Sequence, residues 1–334
     1  MAFFKERTLL VCSLFLLFSC GKQMMDVGKT PEEKLTLIKN KFAQLQKDNK
    51  FHGTILVAKD GVPIFENAYG TSSQEESNTS TQLINGASIG KMFTGVAIMQ
   101  LVQNGQLALD KTVFDYLPYY GNPEDTKRIT MHHLLTHSSG IPDIFSYEHI
   151  QEIDKSKIAT WYNYFPYFES APLDFEPGKK WNYSNSGYLV LGKILETVSG
   201  TTYCDYITEN IFKPAELTES ICGSPMGGLQ ASMTELLRFS EALQHHQLLH
   251  ESHTNLTMEG KIKIEKDVYY GYGFQVYERY NSPEVSHKGG TAESKAQLLM
   301  FIETGYTVII YANNNDIGYD GFHEARHYLR DILT

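Results

Sequence analysis

Four residues of this chain could do covalent chemistry if folding brought them together: Ser88, Lys91, Tyr183 and His287. A serine hydroxyl is a poor nucleophile at neutral pH and needs a base beside it. In Ser88-Ile89-Gly90-Lys91 the spacing supplies one, because positions i and i+3 of a helix share a face. A lysine held in a low-dielectric cleft loses proton affinity and can then accept a proton. Tyr183-Ser184-Asn185 adds a phenol that ionises more easily beside an ammonium, and an amide with both a donor and an acceptor. In His287-Lys288-Gly289-Gly290, two glycines in an expected strand imply close approach of another backbone, such as a substrate's. Each motif alone has an ordinary structural explanation: a capping serine with a surface lysine, a buried tyrosine with an N-cap asparagine, a strand-end turn with a surface histidine.

The elements that must position these residues follow from hydrophobic period. Pro31-Glu32-Glu33 opens a helix over about 31–48, with Leu35, Leu37, Ile38, Phe42 and Leu45 as its apolar stripe. Gly53 to Ala58 and Val62 to Tyr69 read as strands joined at Asp60-Gly61, a turn that needs positive φ. Residues 71–82 are a polar loop. Ser88 then begins an apolar helix, about 88–103, closed by Asn104-Gly105. From 106 to about 230 the pattern is helical with long loops. Tyr272 to Tyr277, Val285 to Lys288, Lys295 to Ile302 and Tyr306 to Ala312 return to strand, and a helix over about 319–332 follows. Short turns such as Glu303-Thr304-Gly305 make the sheet antiparallel. The expected fold is therefore α/β: an antiparallel sheet flanked by helices, built from both chain ends, with an inserted all-helical region. The α/β part spans about 34–105 and 235–334, and the helical part about 106–234.

The three motifs, in this order and on this pattern, resemble the serine β-lactamase-like hydrolases with Ser-x-x-Lys, Tyr-x-Asn and Lys-Thr-Gly-type motifs, and among them the class C β-lactamase, DD-peptidase, esterase and D-aminopeptidase group. Leu134-Leu135-Thr136-His137-Ser138-Ser139-Gly140-Ile141 is similar to that group's signature loop, and Gly227-Gly228-Leu229 with Ser232 and Glu235-Leu236-Leu237 to its next block. The resemblance covers about residues 35–333. It implies that Ser88 is acylated, that Lys91 and Tyr183 share proton transfer, and that Asn185 orients both Lys91 and the substrate. It further implies an oxyanion hole of the Ser88 and Gly290 backbone N–H groups, with Gly289 beside the substrate, and no cofactor or metal. Losing one such donor typically costs about 3 kcal/mol of transition-state stabilisation.

His287 and Lys288 depart from the pattern, standing where β-lactamases and peptidases carry lysine and threonine. Histidine is mostly neutral at pH 7, and Lys288 falls on the opposite strand face. This favours an esterase, amidase or modified peptidase over an efficient lactamase. The aromatic stretch Trp161 to Phe168 reads equally as a pocket lining or as packing in the helical region. A non-enzymatic alternative is a lipid-anchored, penicillin-binding-like module that senses ligand with little turnover.

The chain of 334 residues is 42% hydrophobic and 20% charged, an ordinary globular balance. Its net charge of −10, with no basic run, argues against nucleic acid as a partner and is ordinarily a matter of solubility; a small-molecule or peptide-like substrate is what the resemblance implies. Lys5 and Arg7 precede an apolar run from Leu9 to Phe18, the length of a signal-peptide core. Leu17-Phe18-Ser19-Cys20 resembles a bacterial lipobox, which implies a lipoprotein signal over 1–20, lipid on Cys20, a tether over 21–33 and a catalytic domain over 34–334. The expectation is export and anchoring to a bacterial membrane through that lipid alone. Cys204 and Cys222 could pair or remain free thiols.

Three metal readings compete. His323-Glu324-Ala325-Arg326-His327 fits His-Glu-x-x-His, yet only seven residues follow, and Phe322, Ala325, Leu329 and Ile332 form a stripe that explains the helix as a cover for the sheet. His132, His133 and His137 are more ordinary as helix-surface and loop histidines. Asn313 to Glu324 loosely resembles a calcium loop but places Ile317 at a ligand position.

Overall fold

The computed structural model describes residues 29–146, 157–278, 283–314 and 319–334. The expected signal, Cys20 and most of the tether lie outside the described residues, as does Ile317 of the calcium-loop pattern. Among the described residues there are ten strands: β1 (Gly53–Lys59), β2 (Val62–Tyr69), β3 (Ile84–Ala87), β4 (Leu229–Ala231), β5 (Ile262–Glu265), β6 (Val268–Tyr270), β7 (Gln275–Tyr277), β8 (Glu284–Gly290), β9 (Lys295–Phe301) and β10 (Tyr306–Ala312). Eight form one antiparallel sheet in the order β2-β1-β10-β9-β8-β7-β6-β5, so both chain ends build it. β3 and β4 pair separately. Asp60 and Gly61 both take positive φ in the β1–β2 turn.

The central strands β1, β9 and β10 are mostly apolar because both faces are covered. Ile55, Val57, Leu299, Phe301, Val308 and Ile310 meet α1 (Pro31–Lys47) and the last helix through Ile38, Phe42, Phe322, Ala325 and Leu329. The alternate residues Leu56, Ala58, Leu298, Met300 and Ile309 join the larger core under the helical layer. α1 starts where the sequence places it, at Pro31, with Thr30 and Glu33 forming a reciprocal capping box. The helical layer contains α2 (Gly90–Gln103), α3 (Asn185–Ser199) and α4 (Met233–Gln244); the last helix is α5 (Asp320–Leu333). α2 packs against α3, the helix Tyr203–Ile207 and the helix Glu251–Met258.

Several sequence readings resolve here. Cys204 and Cys222 are joined by a disulfide, with Cα atoms 5.6 Å apart. Ser232 and Glu235 cap α4 reciprocally. Phe165 and Phe168 are buried, and Phe165 meets Tyr120 edge to face, so that much of the aromatic stretch is packing. Glu324 pairs with Lys41 and Lys50 on α5's flank, which occupies the carboxylate of the His-Glu-x-x-His pattern.

Candidate active site

The turn carrying Ser88 is made by backbone constraint. Ala87, at the end of β3, has φ +44, a left-handed value that turns the chain out of the strand. The sequence reading puts Ser88 in the first helical turn, but regular helix begins at Gly90. Ser88 sits in the tighter lead-in, where Ile89 N donates to Gly86 O and Lys91 N to Ser88 O. These i to i+3 bonds still leave Ser88 and Lys91 on one side, with Lys91 Nζ 3.4 Å from Ser88 Oγ.

Glycines let other segments close on this turn. A Cβ on Gly227 would lie 2.5 Å from Ala87 O, and one on Gly90 would lie 2.9 Å from Gly227 Cα. That contact brings the Met226 carbonyl onto Lys91 Nζ. β8 approaches in the same way: a Cβ on Gly289 would sit 2.0 Å from Gly86 O. The backbone that Gly289 admits on that face is therefore the chain's own, not a substrate's. Gly290 follows, exposed at the strand end beside the Ser88 turn.

Tyr183 and Asn185 are held by the loop after helix Met131–Leu135. His137 O accepts Asn182 N at 2.8 Å, and His137 Nδ1 accepts Ser184 N at 3.1 Å. Ser138 O accepts Gly178 N, and Gly140 O accepts Asp174 N. Ser184 caps α3 through Gly187 N, which leaves the side chain of Asn185, the first helical residue, free to face the site. Asn185 Oδ1 accepts from Lys91 Nζ at 2.7 Å, while its N and Nδ2 both donate to Asp143 Oδ1, at 2.9 and 3.0 Å.

Charge at the site follows from burial. Lys91 is completely buried. Desolvation lowers its pKa to about 7, against an opposing pull from Asp143. Its ammonium lies over the Tyr183 and Tyr188 rings, 4.8 and 5.3 Å from their centroids. Burial raises the Tyr183 phenol above its ordinary range, and a hydrogen bond with Ser88 offsets part of that rise. Nζ donates to Asn185 Oδ1 at 2.7 Å, to Met226 O and, weakly, to Ser88 Oγ at 3.4 Å; loss of the proton shared with Ser88 would turn the lone pair of the neutral amine toward that hydroxyl.

His287 faces inward and Lys288 outward, as the strand period requires. His287 Nδ1 lies 2.8 Å from the Lys288 carbonyl and so carries the proton; Nε2, 2.8 Å from Tyr270 Oη, accepts from it. Burial, with Lys91 nearby, lowers its pKa to about 3, so the ring is neutral. The site thus brings together Ser88, Lys91, Tyr183 and Asn185 by direct contact, with His287 behind them. Sequence reasoning missed Asp143, Tyr270 and the positioning part of His137. Only His137 had a signal, as the histidine of the signature loop.

Residues 38–330 match the Beta-lactamase family. Penicillin-binding protein 4* of Bacillus subtilis is 27% identical over 327 residues, covering 82% of this chain and 71% of that protein. Other relatives are matched over about half of their own length or less, 47% and 36% for two of them. The penicillin binding protein from Bacillus halodurans superposes with TM-score 0.76 at 26% identity, over 85% of this chain and 98% of that one. A D-stereospecific amidohydrolase from Streptomyces sp. shares the fold, with TM-score 0.76 at 22% identity, over 88% of this chain and 98% of that one.

Proposed function

The chain belongs to the Beta-lactamase family of serine hydrolases, and from that premise we propose that it hydrolyses an ester or amide through an acyl-enzyme on Ser88. The observation that carries this reading is Lys91: fully buried, held by Asn185 Oδ1 and Met226 O, with Nζ 3.4 Å from Ser88 Oγ and its pKa lowered by burial to about 7. In the first half-reaction Ser88 Oγ bonds to the substrate carbonyl carbon and passes its proton to the Lys91–Tyr183 pair. The carbonyl oxygen, now negative, meets the Ser88 and Gly290 N–H groups. The intermediate collapses, the carbonyl–leaving-group bond breaks, and the pair returns the proton to the leaving alcohol or amine. Water then attacks the acyl-enzyme with the same groups in reverse, releasing the acid and restoring Ser88.

The likeness to penicillin-binding proteins and to an amidohydrolase supports a small or peptide-like acyl donor, of esterase, D-amino-acid amidase or DD-peptidase type. Neutral His287 leaves no permanent cation at its strand position, which argues against efficient β-lactam turnover. Export and anchoring through Cys20 belong to the same proposal, and the Cys204–Cys222 disulfide suits an oxidising compartment.

Intact-protein mass followed over time with benzylpenicillin tests the nucleophile. The expected result is an adduct on the wild type and none on Ser88→Ala. A long-lived adduct indicates a peptidase-like or ligand-sensing protein, and a short-lived one a lactamase. An adduct of equal yield on Ser88→Ala would remove Ser88 from the mechanism.

A further inference from the structure

One acceptor of Lys91 comes from outside the three motifs: the Met226 carbonyl. A short β-hairpin delivers it. Ile221 pairs with Gln230 and Ser224 with Gly227 as antiparallel rungs, and Pro225-Met226 is the two-residue tip. The second arm, Gly227-Gly228, lies on the Ser88 turn, where Gly228 N donates to Ala87 O at 3.0 Å, and it runs on into β4. The first arm is tied sideways: Cys222 is bonded to Cys204 in the helix Tyr203–Ile207. A second tie starts at the residue beside Cys204. Thr94, on α2 three residues after Lys91, donates through Oγ1 to Pro225 O at 2.7 Å. That uses its hydrogen, so Tyr203 Oη, 2.8 Å away, donates to Thr94 Oγ1. Gly192 of α3 makes room for the tip, since a Cβ there would lie 2.1 Å from Pro225 Cγ.

With glycine at 223, 227 and 228, the hairpin has little backbone stiffness of its own, and its tip depends on these ties. Both cysteines are only partly buried, which leaves the bridge open to a small reductant. We propose that the Cys204–Cys222 disulfide positions the catalytic lysine's surroundings, and that its reduction frees the Pro225-Met226 tip from Lys91 and lowers activity reversibly. The step takes two electrons and two protons from a dithiol. The S–S bond breaks, both sulfurs become thiols, and the reductant closes into its own disulfide. Tyr183 and Asn185 stay in place, because the His137 loop and Asp143 hold them. The protein is then fully active only where the bridge is oxidised. This inference rests on the acyl-enzyme reading above.

The test reads hydrolysis of p-nitrophenyl acetate, with Ser88→Ala in the same redox state as the blank. Wild type is compared as isolated, after dithiothreitol and its removal under nitrogen, and after reoxidation. The expected result is a fall in kcat of about tenfold or more on reduction, in keeping with a small misplacement at a catalytic group, and its return on reoxidation. The double variant Cys204→Ala/Cys222→Ala should match reduced wild type, with or without dithiothreitol, and keep its far-UV circular dichroism. A purely structural bridge would lower Tm and leave the pH profile alone. Lys91 is faced by Asp143, His137, His287, Tyr183 and Tyr188, none of them on the hairpin. Burial is the main cause of its lowered pKa, so water admitted at the freed tip should move the limb of kcat/KM upward from about 7. A kcat or a limb unchanged on reduction overturns the inference while leaving the Ser88 mechanism in place. So does a reduced protein that loses its circular dichroism with its activity, because the bridge would then hold the fold as a whole. Absence of Ser88-dependent hydrolysis in the oxidised wild type overturns the hydrolase reading and this inference with it.

Discussion

The imidazole of His137 lies against the phenol of Tyr183, ring centroids 4.2 Å apart, and its Nδ1 accepts the N–H of the next residue, Ser184. Its carbonyl accepts Asn182 N, so one residue grips the Tyr183 segment on both sides. His137 is fully buried with φ +57, and burial lowers its pKa well below the ordinary histidine range, with Lys91 and His287 adding to the effect. The ring is therefore neutral. With Nδ1 accepting, Nε2 carries the hydrogen, and it is buried with no hydrogen-bond partner among the described residues.

This arrangement makes His137 a positioning residue. In His137→Ala the Ser184 N–H is left unsatisfied, at about 1–3 kcal/mol, and alanine must take the left-handed backbone. The variant should lose several degrees of Tm and about tenfold or more in kcat. Asparagine tolerates the backbone and can offer its amide oxygen to Ser184 N–H. His137→Asn should therefore recover most of the Tm while kcat stays low, because nothing then stacks on Tyr183. A wild-type kcat in His137→Asn would show that the ring does not position the phenol.

Lys91 links activity and stability through one ionisation. If the neutral amine is the base, kcat/KM rises with pH through a limb near 7, the value to which burial lowers Lys91. For stability, the folded pKa lies below the ordinary 10.5, so between about 7 and 10.5 the unfolded chain binds the extra proton. Stability accordingly rises with pH across that window and is at its lowest below it. The cost at neutral pH is on the order of 5 kcal/mol, since each tenfold loss of proton affinity is worth about 1.4 kcal/mol. Lys91→Met should abolish turnover and raise Tm at pH 7, with the gain shrinking toward pH 10. A gain that stays constant with pH would mean that Lys91 keeps its proton in the fold.

Asp143 sets which way Asn185 faces. Its Oδ1 takes both Asn185 donors, which leaves Asn185 Oδ1 for Lys91. Its charge also opposes the fall of the Lys91 pKa. Asp143→Asn should move the Lys91 limb of the pH profile to lower pH and reduce kcat, since the Asn185 amide loses its fixed orientation. An unmoved limb with reduced kcat would separate the orienting effect from the electrostatic one and leave only the former.

The legible parts of this structure are those whose pattern is local. The β1–β2 hairpin, the β9 and β10 runs and the stripe of α5 each carry their own period, and the three motifs fall on the elements that period places. β3 and β6 escape a reading by period because they have four and three residues, too few to show alternation. Their brevity hides Tyr270 and with it the partner of His287. Asp143 lies in a loop with no period and meets Asn185 from 42 positions away, a contact only the folded chain defines. The expected first turn at Ser88 fails for a related reason: a left-handed alanine is stabilised by the distant Gly227-Gly228 segment, not by its neighbours.

The two faces of β8 give the last prediction. His287 is buried, points toward the layer that holds Lys91, and anchors Tyr270 through Nε2. Lys288 points to the opposite face, where Arg326 and Arg330 help burial lower its pKa. His287→Ala would empty a buried site, take away one of the two partners of the Tyr270 hydroxyl, which keeps its bond with Tyr188, and loosen the wall behind Tyr183 and Lys91. It should lower kcat by about tenfold or more, whereas Lys288→Ala should stay within about twofold, as outward substitutions usually do. Because the His287 pKa is near 3, the wild-type pH profile should show no histidine limb between 5 and 8 that His287→Gln removes. A larger loss in Lys288→Ala than in His287→Ala would mean that the strand presents its other face to the substrate, and the assignment of the third motif would have to be reversed.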